Sequence, residues 1–528
     1  MDRVMKRAER SRQPEWPFWL ILGVVSLLAA VLRFSVIGKG LPYTYYPDEP
    51  HYVDIVQQMF LTRDPNPGFF FYPTLFFLLN ALAYVPYTAV GHLAGILNSP
   101  SDIHGAQVIV MGVGHTSLPS AFWMGRSLTA VFGVAAVTMT GVLGRQLTRD
   151  WRVGALASLA VAFSPTHAEY SRYMFPHVIL TFFLLVAFWA IVRVFQRGSW
   201  LDYVLGGLGC GLAASTMYHG GLIGATLIVG HMFKNGWRSW RDVRLFTALA
   251  LACITFVLLN PFMLLDAGVF FRDSRFIISH YMFASGGNSA AGMGRALEYY
   301  LGYSWTVEGG ILLVSTLEFV RSLLNRDRAR LLVFGFSVPY FLVISSATAR
   351  NARTFLPLIP FLALSTACLL WSVVDLAWNA RKANRLGAVI FVGSVAIVLG
   401  TIAWPVARSV QDAQGLAAID SRETARAWIE ANLPQGSRIA LEAYSPYVDP
   451  NRFQVQGVVR LSDQNLEWYL SEDIDYLVFS QGMFARFFAE PELYAAEISR
   501  YEALFTTFTP VKVFVDGDYE IRIYSTAP

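Results

Sequence analysis

Long apolar stretches separated by short polar segments dominate residues 17–410 of the 528-residue chain. Crossing a bilayer core takes about 20 apolar residues in a helix, and the pattern predicts eleven membrane-spanning helices. They are expected at residues 17–37, 117–147, 153–164, 177–195, 203–217, 220–233, 245–265, 301–323, 331–346, 355–378 and 386–407. The predicted fold class is therefore an α-helical multi-pass membrane protein, in which a basic tail at 1–16 precedes a membrane domain at 17–410.

A different pattern begins at residue 411 and continues to the end of the chain. Asp420-Ser-Arg-Glu423 has the form of a capping box, which predicts a helix from there to Asn432. Further elements are expected as strands at 438–441, 476–479, 511–515 and 520–524 and as a helix at 483–503. These short runs predict that residues 411–528 form a small soluble α/β domain, which serves as a structural lid or an acceptor-binding platform.

Composition and charge support this division. Hydrophobic residues make up 55% and charged residues 15% of the chain, whereas soluble proteins carry roughly 25% charged residues. Residues 1–410 contain 32 basic and 19 acidic residues, and residues 411–528 contain 9 basic and 18 acidic ones. The basic residues fall in short loops between apolar stretches, so no nucleic-acid partner is expected. The three cysteines lie within apolar stretches, which argues against a disulfide framework.

The basic loops also predict an orientation, because such loops collect on the cytoplasmic side of a membrane. The later basic loops face that side only if the apolar stretch 69–97, interrupted by Pro73 and Pro86, does not cross. We expect this stretch to form a pair of interfacial helices inside an external loop at 38–116. The pattern thus predicts a protein of the cytoplasmic (inner) membrane, with a cytoplasmic N-terminus and an extracytoplasmic C-terminal domain.

The external loop contains the segment with the clearest candidate chemistry, Tyr43-Thr-Tyr-Tyr-Pro-Asp-Glu-Pro-His-Tyr52. Two adjacent carboxylates, Asp48 and Glu49, are flanked by prolines that restrict the backbone and by aromatic side chains that suit a lipid or a sugar ring. Carboxylates beside apolar surface tend to have raised pKa values, as a general base requires. A solvated loop at the membrane surface accounts for the charges alone equally well.

The order of several motifs resembles the C-type (GT-C) glycosyltransferase superfamily. The resemblance covers residues 17–371 and is greatest to the bacterial branch related to protein O-mannosyltransferases and lipid A aminoarabinose transferases, which is similar to glycosyltransferase family 39. The motifs are the Asp48-Glu49 pair, Phe71-Tyr-Pro-Thr-Leu75, Gly125-Arg126 to Gly144-Arg145, Ser164-Pro165 with His167 and Ser171-Arg172, Asn260-Pro261-Phe262, and Arg350 to Pro360. Their order and spacing carry the resemblance, because each motif alone is unspecific.

Members of this superfamily use a polyprenyl-phosphate-linked sugar as donor, so the resemblance implies transfer of a sugar to an acceptor hydroxyl on the external face. The acceptor is left open between a lipid, a glycan and a protein. Asp48 would be the general base of an inverting reaction, and Glu49 would orient Asp48 or help to hold a metal. A divalent metal is left open, and no other cofactor is expected. The implied substrate-binding residues are Tyr46, His51, Tyr72, Arg126, Arg172, His177, His219, Arg350 and Arg353.

These assignments have alternatives. Arg126 and Arg353 also suit interfacial positions, where arginine extends its charge toward water, and Arg172 is close enough in sequence to pair with Glu169. His177 stands where relatives usually have a second acidic residue, so Glu169 is an alternative partner in the reaction. The competing function is a transporter or flippase of polyprenyl-linked glycans, although ionisable residues are scarce within the predicted spans. A structural membrane protein would leave the Asp48-Glu49 loop unexplained.

Overall fold

A computed structural model describes residues 16–103, 107–110, 113–283, 293–381, 385–417, 419–516 and 519–527. The first part of the chain is helical. Its helices are α1 (Trp16–Phe34), α2 (Asp48–Thr62), α3 (Leu75–Leu93), α4 (Pro119–Thr148), α5 (Trp151–Ala162), α6 (Pro165–Tyr170), α7 (Pro176–Gln196), α8 (Trp200–Thr216), α9 (Ile223–Asn235), α10 (Val243–Leu259), α11 (Phe262–Leu265), α12 (Ala267–Phe283), α13 (Met293–Thr306), α14 (Ile311–Leu324), α15 (Arg328–Leu331), α16 (Phe334–Ser346), α17 (Ala352–Phe355), α18 (Ile359–Ala380) and α19 (Arg385–Ala417).

Seven helical segments in the described part of the chain are long and apolar enough to cross a bilayer. They are Trp16–Phe34, Leu75–Leu93, Pro119–Thr148, Pro176–Gln196, Arg328–Ser346, Ala352–Ala380 and Ala388–Gly415. The multi-pass α-helical fold class is thereby confirmed, whereas the count of eleven spans stays a prediction. Several expected spans fall on helices shorter than 18 residues, among them α5, α8 and α10.

Two expected elements of the membrane domain were wrong in detail. The stretch 69–97 contains one continuous helix, α3, and Pro86 lies inside it rather than separating a helix pair. The expected span 301–323 is interrupted, because Gly309 and Gly310 adopt positive φ angles of 64° and 75° between α13 and α14. Glycine takes such angles without the steric cost of a side chain, so the chain turns there.

Close helix packing brings α4 against α5 near the side of the bundle that also contacts α1. A side-chain carbon at Gly154 would collide with the backbone carbonyl of Gly141, and one at Gly144 would lie 2.7 Å from the Cα atom of Gly154. Small residues of this kind let helix backbones approach in a membrane, where packing rather than the hydrophobic effect drives association. The backbones of α4 and α5 therefore lie in direct contact where these glycines meet.

The C-terminal part forms the small α/β domain that the pattern predicts. Its mixed sheet has the strand order β5 (Gln454–Gly457), β4 (Arg438–Leu441), β6 (Tyr476–Ser480), β8 (Tyr519–Ser525) and β7 (Thr509–Asp516). Strand β4 is parallel to β5 and β6, and the remaining pairs are antiparallel. Its helices are α20 (Ser421–Asn432), α21 (Leu466–Ser471), α22 (Gln481–Phe488) and α23 (Ala495–Thr507). The four expected strands are confirmed, and β5 is additional.

Two local expectations in this domain need correction. The single helix expected at 483–503 is two helices, α22 and α23, separated by a segment that contains Pro491, which cannot donate a backbone hydrogen bond. The capping box at Asp420 is half formed, because the Asp420 carboxylate accepts the N–H of Arg422 at 3.0 Å while Glu423 turns toward the external loop. The Glu423 carboxylate accepts the hydroxyl of Tyr45 instead.

This last contact belongs to a larger interface between the external loop and the C-terminal domain. A three-stranded antiparallel sheet, in the order β1 (Tyr43–Thr44), β3 (Val113–Thr116) and β2 (Gln107–Val110), holds the loop together. The ring of Tyr43 lies 5.3 Å from that of Tyr447, and the guanidinium of Arg422 lies 4.2 Å from the ring centroid of Tyr45. The backbone leading to Asp48 is thus held against α20 and the loop after β4.

Candidate active site

Asp48 begins α2 and forms an ion pair with Arg353, which lies 305 positions later in the chain. Its Oδ2 accepts a hydrogen bond from Nη1 of Arg353 at 2.6 Å. Arg353 is placed by the short helix α17, whose first N–H groups are capped by the side chain of Asn351. The Asp48 side chain remains 42% exposed, while Nε of Arg353 is buried and has no hydrogen-bond partner among the described residues. The pair therefore combines an accessible carboxylate with a guanidinium that has a donor to spare.

Glu49, the neighbouring carboxylate, has a different environment. It is fully buried and accepts both Nε and Nη2 of Arg126, at 2.8 and 2.7 Å, as well as the N–H of Met174 at 3.1 Å. Nη1 of Arg126 donates to the carbonyl oxygens of Ile37 and Lys39. Such a bidentate pair fixes geometry. These contacts support the interpretation that Glu49 orients the Asp48 loop, and they leave Arg126 engaged with the protein rather than placed at a substrate phosphate.

A cavity of about 320 Å³ lies beside the Asp48–Arg353 pair, and we call it the aromatic cavity. Its wall is formed by Phe71, Tyr72, His177, Met217, Tyr218, His219, Ile277, Ile278, Tyr281, Tyr300, Tyr340, Val343, Ile344, Ser346, Ala347, Ala349 and Thr354. Thr354 adjoins Arg353 in sequence. Burial raises the pKa of Tyr72 to about 12, with Asp48 acting in the same direction and Arg353 against it. The hydroxyl of Tyr72 therefore stays protonated within the field of the ion pair.

Two of the sequence-predicted histidines meet in this cavity. His177, at the start of α7, is fully buried, and neither of its ring nitrogens has a hydrogen-bond partner among the described residues. Nε2 of His219 is likewise buried without a partner in the described part of the chain. Buried polar groups are nearly always hydrogen-bonded, so three unpartnered ring nitrogens on two histidines that line one cavity point to a polar ligand there.

A second cavity, of about 460 Å³, lies on the other side of α13, and we call it the interface cavity. Its wall is formed by Arg295, Glu298, Tyr299, Gly302, Tyr303, Thr306, Arg350 and Glu490. Consecutive residues of α13 separate the two cavities, because Tyr299 faces the interface cavity and Tyr300 faces the aromatic cavity. Arg350 thus lines the interface cavity, although it lies only three residues from Arg353.

The remaining predicted residues lie outside both cavities. Nε and Nη2 of Arg172 donate to the carbonyl oxygen of Leu32, at 3.2 and 3.0 Å, so the expected pairing of Arg172 with Glu169 is replaced by a backbone contact. The hydroxyl of Tyr46 donates to Glu169 at 2.9 Å, and burial raises the pKa of that carboxyl. The His51 ring is exposed and packs edge-on against Phe69, with 4.9 Å between ring centroids.

Several cavity residues were not anticipated from the sequence. Tyr281 lies on α12, for which no element was predicted, and Glu490 lies in the turn between α22 and α23. The aromatic spacing Tyr299, Tyr300 and Tyr303 on α13 was the available signal, because it repeats at helical intervals. Within the described residues, no three or more His, Cys, Asp and Glu side chains come together in a way that would hold a metal ion.

Comparison with known proteins bears on the family. Residues 113–272 match the family model described as dolichyl-phosphate-mannose-protein mannosyltransferase. The structure resembles ArnT from Cupriavidus metallidurans bound to undecaprenyl phosphate, over 97% of this chain and 98% of that one, with 15% identity and a TM-score of 0.50. The apo state of the same ArnT matches over 97% of this chain and 99% of that one, with 15% identity and a TM-score of 0.50. No curated protein matches the chain by sequence.

At this level of identity the similarity to ArnT shows a shared fold, which extends over nearly the whole of both chains. The family model independently covers the segment from the end of the external loop through α11 and into α12. The chain is thus a multi-pass membrane protein with the C-type glycosyltransferase fold, and the resemblance that its sequence motifs indicated is confirmed.

Proposed function

We propose that the chain is a membrane glycosyltransferase that moves a sugar from a polyprenyl-phosphate donor to an acceptor hydroxyl, with Asp48 as general base. The observation that carries the proposal is the Asp48–Arg353 pair beside the aromatic cavity. The match to a mannosyltransferase family model and the fold shared with an ArnT that binds undecaprenyl phosphate support it. The reaction belongs on the external face of the cytoplasmic membrane, as the basic loops predict.

The ion pair suggests how the donor prepares the base. While Arg353 holds Asp48, the carboxylate has one oxygen engaged by a guanidinium. Arginine binds phosphate oxygens through a planar set of N–H groups, and Nε of Arg353 is already available. When a donor phosphate binds, it draws the guanidinium toward itself, and the carboxylate of Asp48 becomes free to accept a proton. Donor binding and base activation are therefore one event.

The chemistry then needs little else from the protein. The acceptor hydroxyl attacks the anomeric carbon from the face opposite the phosphate, its proton passes to Asp48, and the carbon–oxygen bond to the phosphate breaks with its electron pair leaving on the phosphate oxygen. The configuration at the anomeric carbon inverts. Because phosphate is a good leaving group, the protein chiefly supplies positioning and a positive charge for the developing negative charge. Arg353 supplies that charge.

His177 and His219 complete the donor site in this proposal. Relatives usually carry a carboxylate where this chain has His177, so a mechanism with two carboxylates does not apply to the aromatic cavity. No acidic or basic side chain contributes to the part of the cavity wall that the structure describes, apart from the two histidines. Their unpartnered ring nitrogens are suited to the hydroxyl groups of the sugar or to the phosphate oxygens.

The test compares Asp48→Asn with Asp64→Asn, which changes an exposed carboxylate in the same loop. Each variant is expressed in a deletion strain, and envelope lipids and glycans are analysed by mass spectrometry. We expect Asp48→Asn to lower the formation of one sugar-modified species by about 10²–10⁴-fold, the typical contribution of a general base. Binding of undecaprenyl phosphate to the purified variant should be retained.

Normal product formation by Asp48→Asn would contradict the proposal and favour the flippase, which needs no base. An unchanged envelope profile in the deletion strain itself, under conditions where the wild-type protein is made, would contradict transferase activity altogether. Asp64→Asn is expected to restore the wild-type profile, which shows that the loss at position 48 does not follow from a change in loop charge.

A further inference from the structure

The two cavities on either side of α13 differ in charge. Histidine is the only titratable residue other than tyrosine in the described wall of the aromatic cavity, whereas the interface cavity contains two arginines and two glutamates. The arginines, Arg295 and Arg350, come from the membrane domain. Glu490 comes from the C-terminal domain and supplies the carboxylate on which both arginines converge. The interface cavity therefore has the composition of a site for a charged ligand.

The carboxylate of Glu490 is held by one arginine on each oxygen. Nη2 of Arg350 donates to Oε1 at 2.5 Å, and Nη1 of Arg295 donates to Oε2 at 3.3 Å. The ring of Tyr299 lies 5.7 Å below the guanidinium of Arg350 and keeps it in place. Two guanidinium groups that approach one oxyanion from different sides form the arrangement that proteins use for phosphate or carboxylate ligands.

This contact differs from the Glu49–Arg126 pair in its exposure to water. The side chains of Glu49 and Arg126 are 0% and 2% exposed, while those of Glu490, Arg295 and Arg350 are 27%, 40% and 11% exposed. Partly exposed ion pairs contribute little net free energy, because water competes for both charges. An incoming anion can therefore take the place of Glu490 at small cost, whereas it cannot displace Glu49.

Building on the transferase function proposed above, we infer that Arg295 and Arg350 form a second anion site that receives a negatively charged group of the acceptor. In this structure the carboxylate of Glu490 takes the position of that group. Arg350 belongs to the turn that leads into α17, and Arg353, the partner of Asp48, lies on α17 itself, so an acceptor anchored at Arg350 is held on the same chain segment as the partner of the proposed base. The acceptor is accordingly an acidic molecule, bearing phosphate or carboxylate.

Displacement of Glu490 also affects the C-terminal domain. Glu490 lies in the turn between α22 and α23, where its carbonyl oxygen accepts the N–H of Leu493 at 3.0 Å. The side chain of Glu490 fastens this turn to Arg295 on α13 and to Arg350. Acceptor binding therefore releases one attachment of the domain. The domain thereby senses whether the acceptor site is filled.

The test measures binding of inorganic phosphate to the purified full-length protein by the broadening of the phosphorus NMR line, at constant ionic strength. Acetate and chloride are then added as competitors for the bound phosphate. Displacement by acetate indicates a site that also accepts carboxylate, displacement by neither indicates a phosphate site, and equal displacement by both indicates simple screening. Glu490→Gln removes the competing charge, and we expect it to bind the preferred oxyanion about three- to tenfold more tightly than wild type. Glu492→Gln, which changes an exposed carboxylate two residues away, is the matched control and should bind as wild type does.

Adding Arg350→Gln or Arg295→Gln to the Glu490→Gln variant should abolish the gain. The inference is wrong if Glu490→Gln binds no more tightly than Glu492→Gln, or if the gain survives the loss of both arginines. Phosphate binding is measured without donor or acceptor, so a positive result stands even if Asp48→Asn shows normal product formation. If the phosphate titration shows no gain in binding while the Asp48→Asn variant forms no product, the acceptor site is overturned and the transferase proposal stands.

Discussion

The two adjacent carboxylates should differ strongly in how much stability the chain loses when each is replaced by its amide. Glu49→Gln replaces a buried charge that accepts two hydrogen bonds from Arg126 and one from the backbone of Met174. The amide N–H group of the new glutamine faces the N–H donors of Arg126 or Met174, and the guanidinium of Arg126 is left buried without its counter-charge. Removing one partner of a buried pair costs about 3–5 kcal/mol. We therefore expect Glu49→Gln to lower the stability of the full chain severely.

Asp48→Asn provides the comparison, because it removes the same charge one residue earlier. The Asp48 side chain is 42% exposed, and the loss of such a pair costs about 1 kcal/mol or less. Thermal unfolding of both variants in detergent, followed by size-exclusion fluorescence, should show a fall of several degrees for Glu49→Gln only. Equal melting temperatures for the two variants would refute the view that Glu49 is structural and that Asp48 is free for chemistry.

A double variant sharpens the measurement. If Glu49 and Arg126 stabilise each other, Glu49→Gln combined with Arg126→Gln should lose less stability than the sum of the two single substitutions. Residues in direct contact typically show such coupling at 0.5–3 kcal/mol, roughly. Additive losses would mean that each side chain acts through separate contacts, for example through the carbonyl oxygens of Ile37 and Lys39 that Arg126 also binds.

Three further predictions concern other parts of the molecule. Burial raises the pKa of Glu442 from 4.5 to about 7, so between these pH values the folded chain holds a proton that the unfolded chain has released. The stability of the fold should therefore fall as the pH rises from 4.5 to about 7, and thermal unfolding of Glu442→Gln should lack that pH dependence. Gly154→Ala should reduce the yield of folded protein in size-exclusion chromatography, because its new carbon meets the carbonyl of Gly141, whereas Gly23→Ala, which has open space, should not. His177→Leu should keep its melting temperature and lose binding of undecaprenyl phosphate in a pull-down, since its ring nitrogens have no partner in the described part of the chain.

The sequence was sufficient for the fold class because membrane solvation constrains it strongly. A run of about 20 apolar residues has few alternatives to a spanning helix, and α1, α4, α7 and α18 follow the expected runs closely. Where the pattern was ambiguous, tertiary contacts decided the outcome. Pro86 remains inside α3, and the glycines at 309 and 310 divide the expected span 301–323 into two helices.

For the candidate site, the sequence identified residue types and their order but not their partners. Asp48 and Arg353 are 305 positions apart, and only the tertiary fold brings their side chains together. Arg126 and Arg172 have the same chemistry as Arg353 and lie at comparable helix ends. They turn inward because carbonyl groups left by α1 and the following loop accept their N–H groups. Sequence position alone does not distinguish these cases.

The interface between the external loop and the C-terminal domain affects how the protein can be divided. Tyr43 and Tyr45, which precede Asp48 by only a few residues, rest on Tyr447, Arg422 and Glu423 of the domain. A chain cut after α19 would keep every candidate span and still lose the surface against which the loop that carries Asp48 is packed. Chimaeras between relatives should therefore exchange the external loop and the C-terminal domain together, so that the contacts between them are kept.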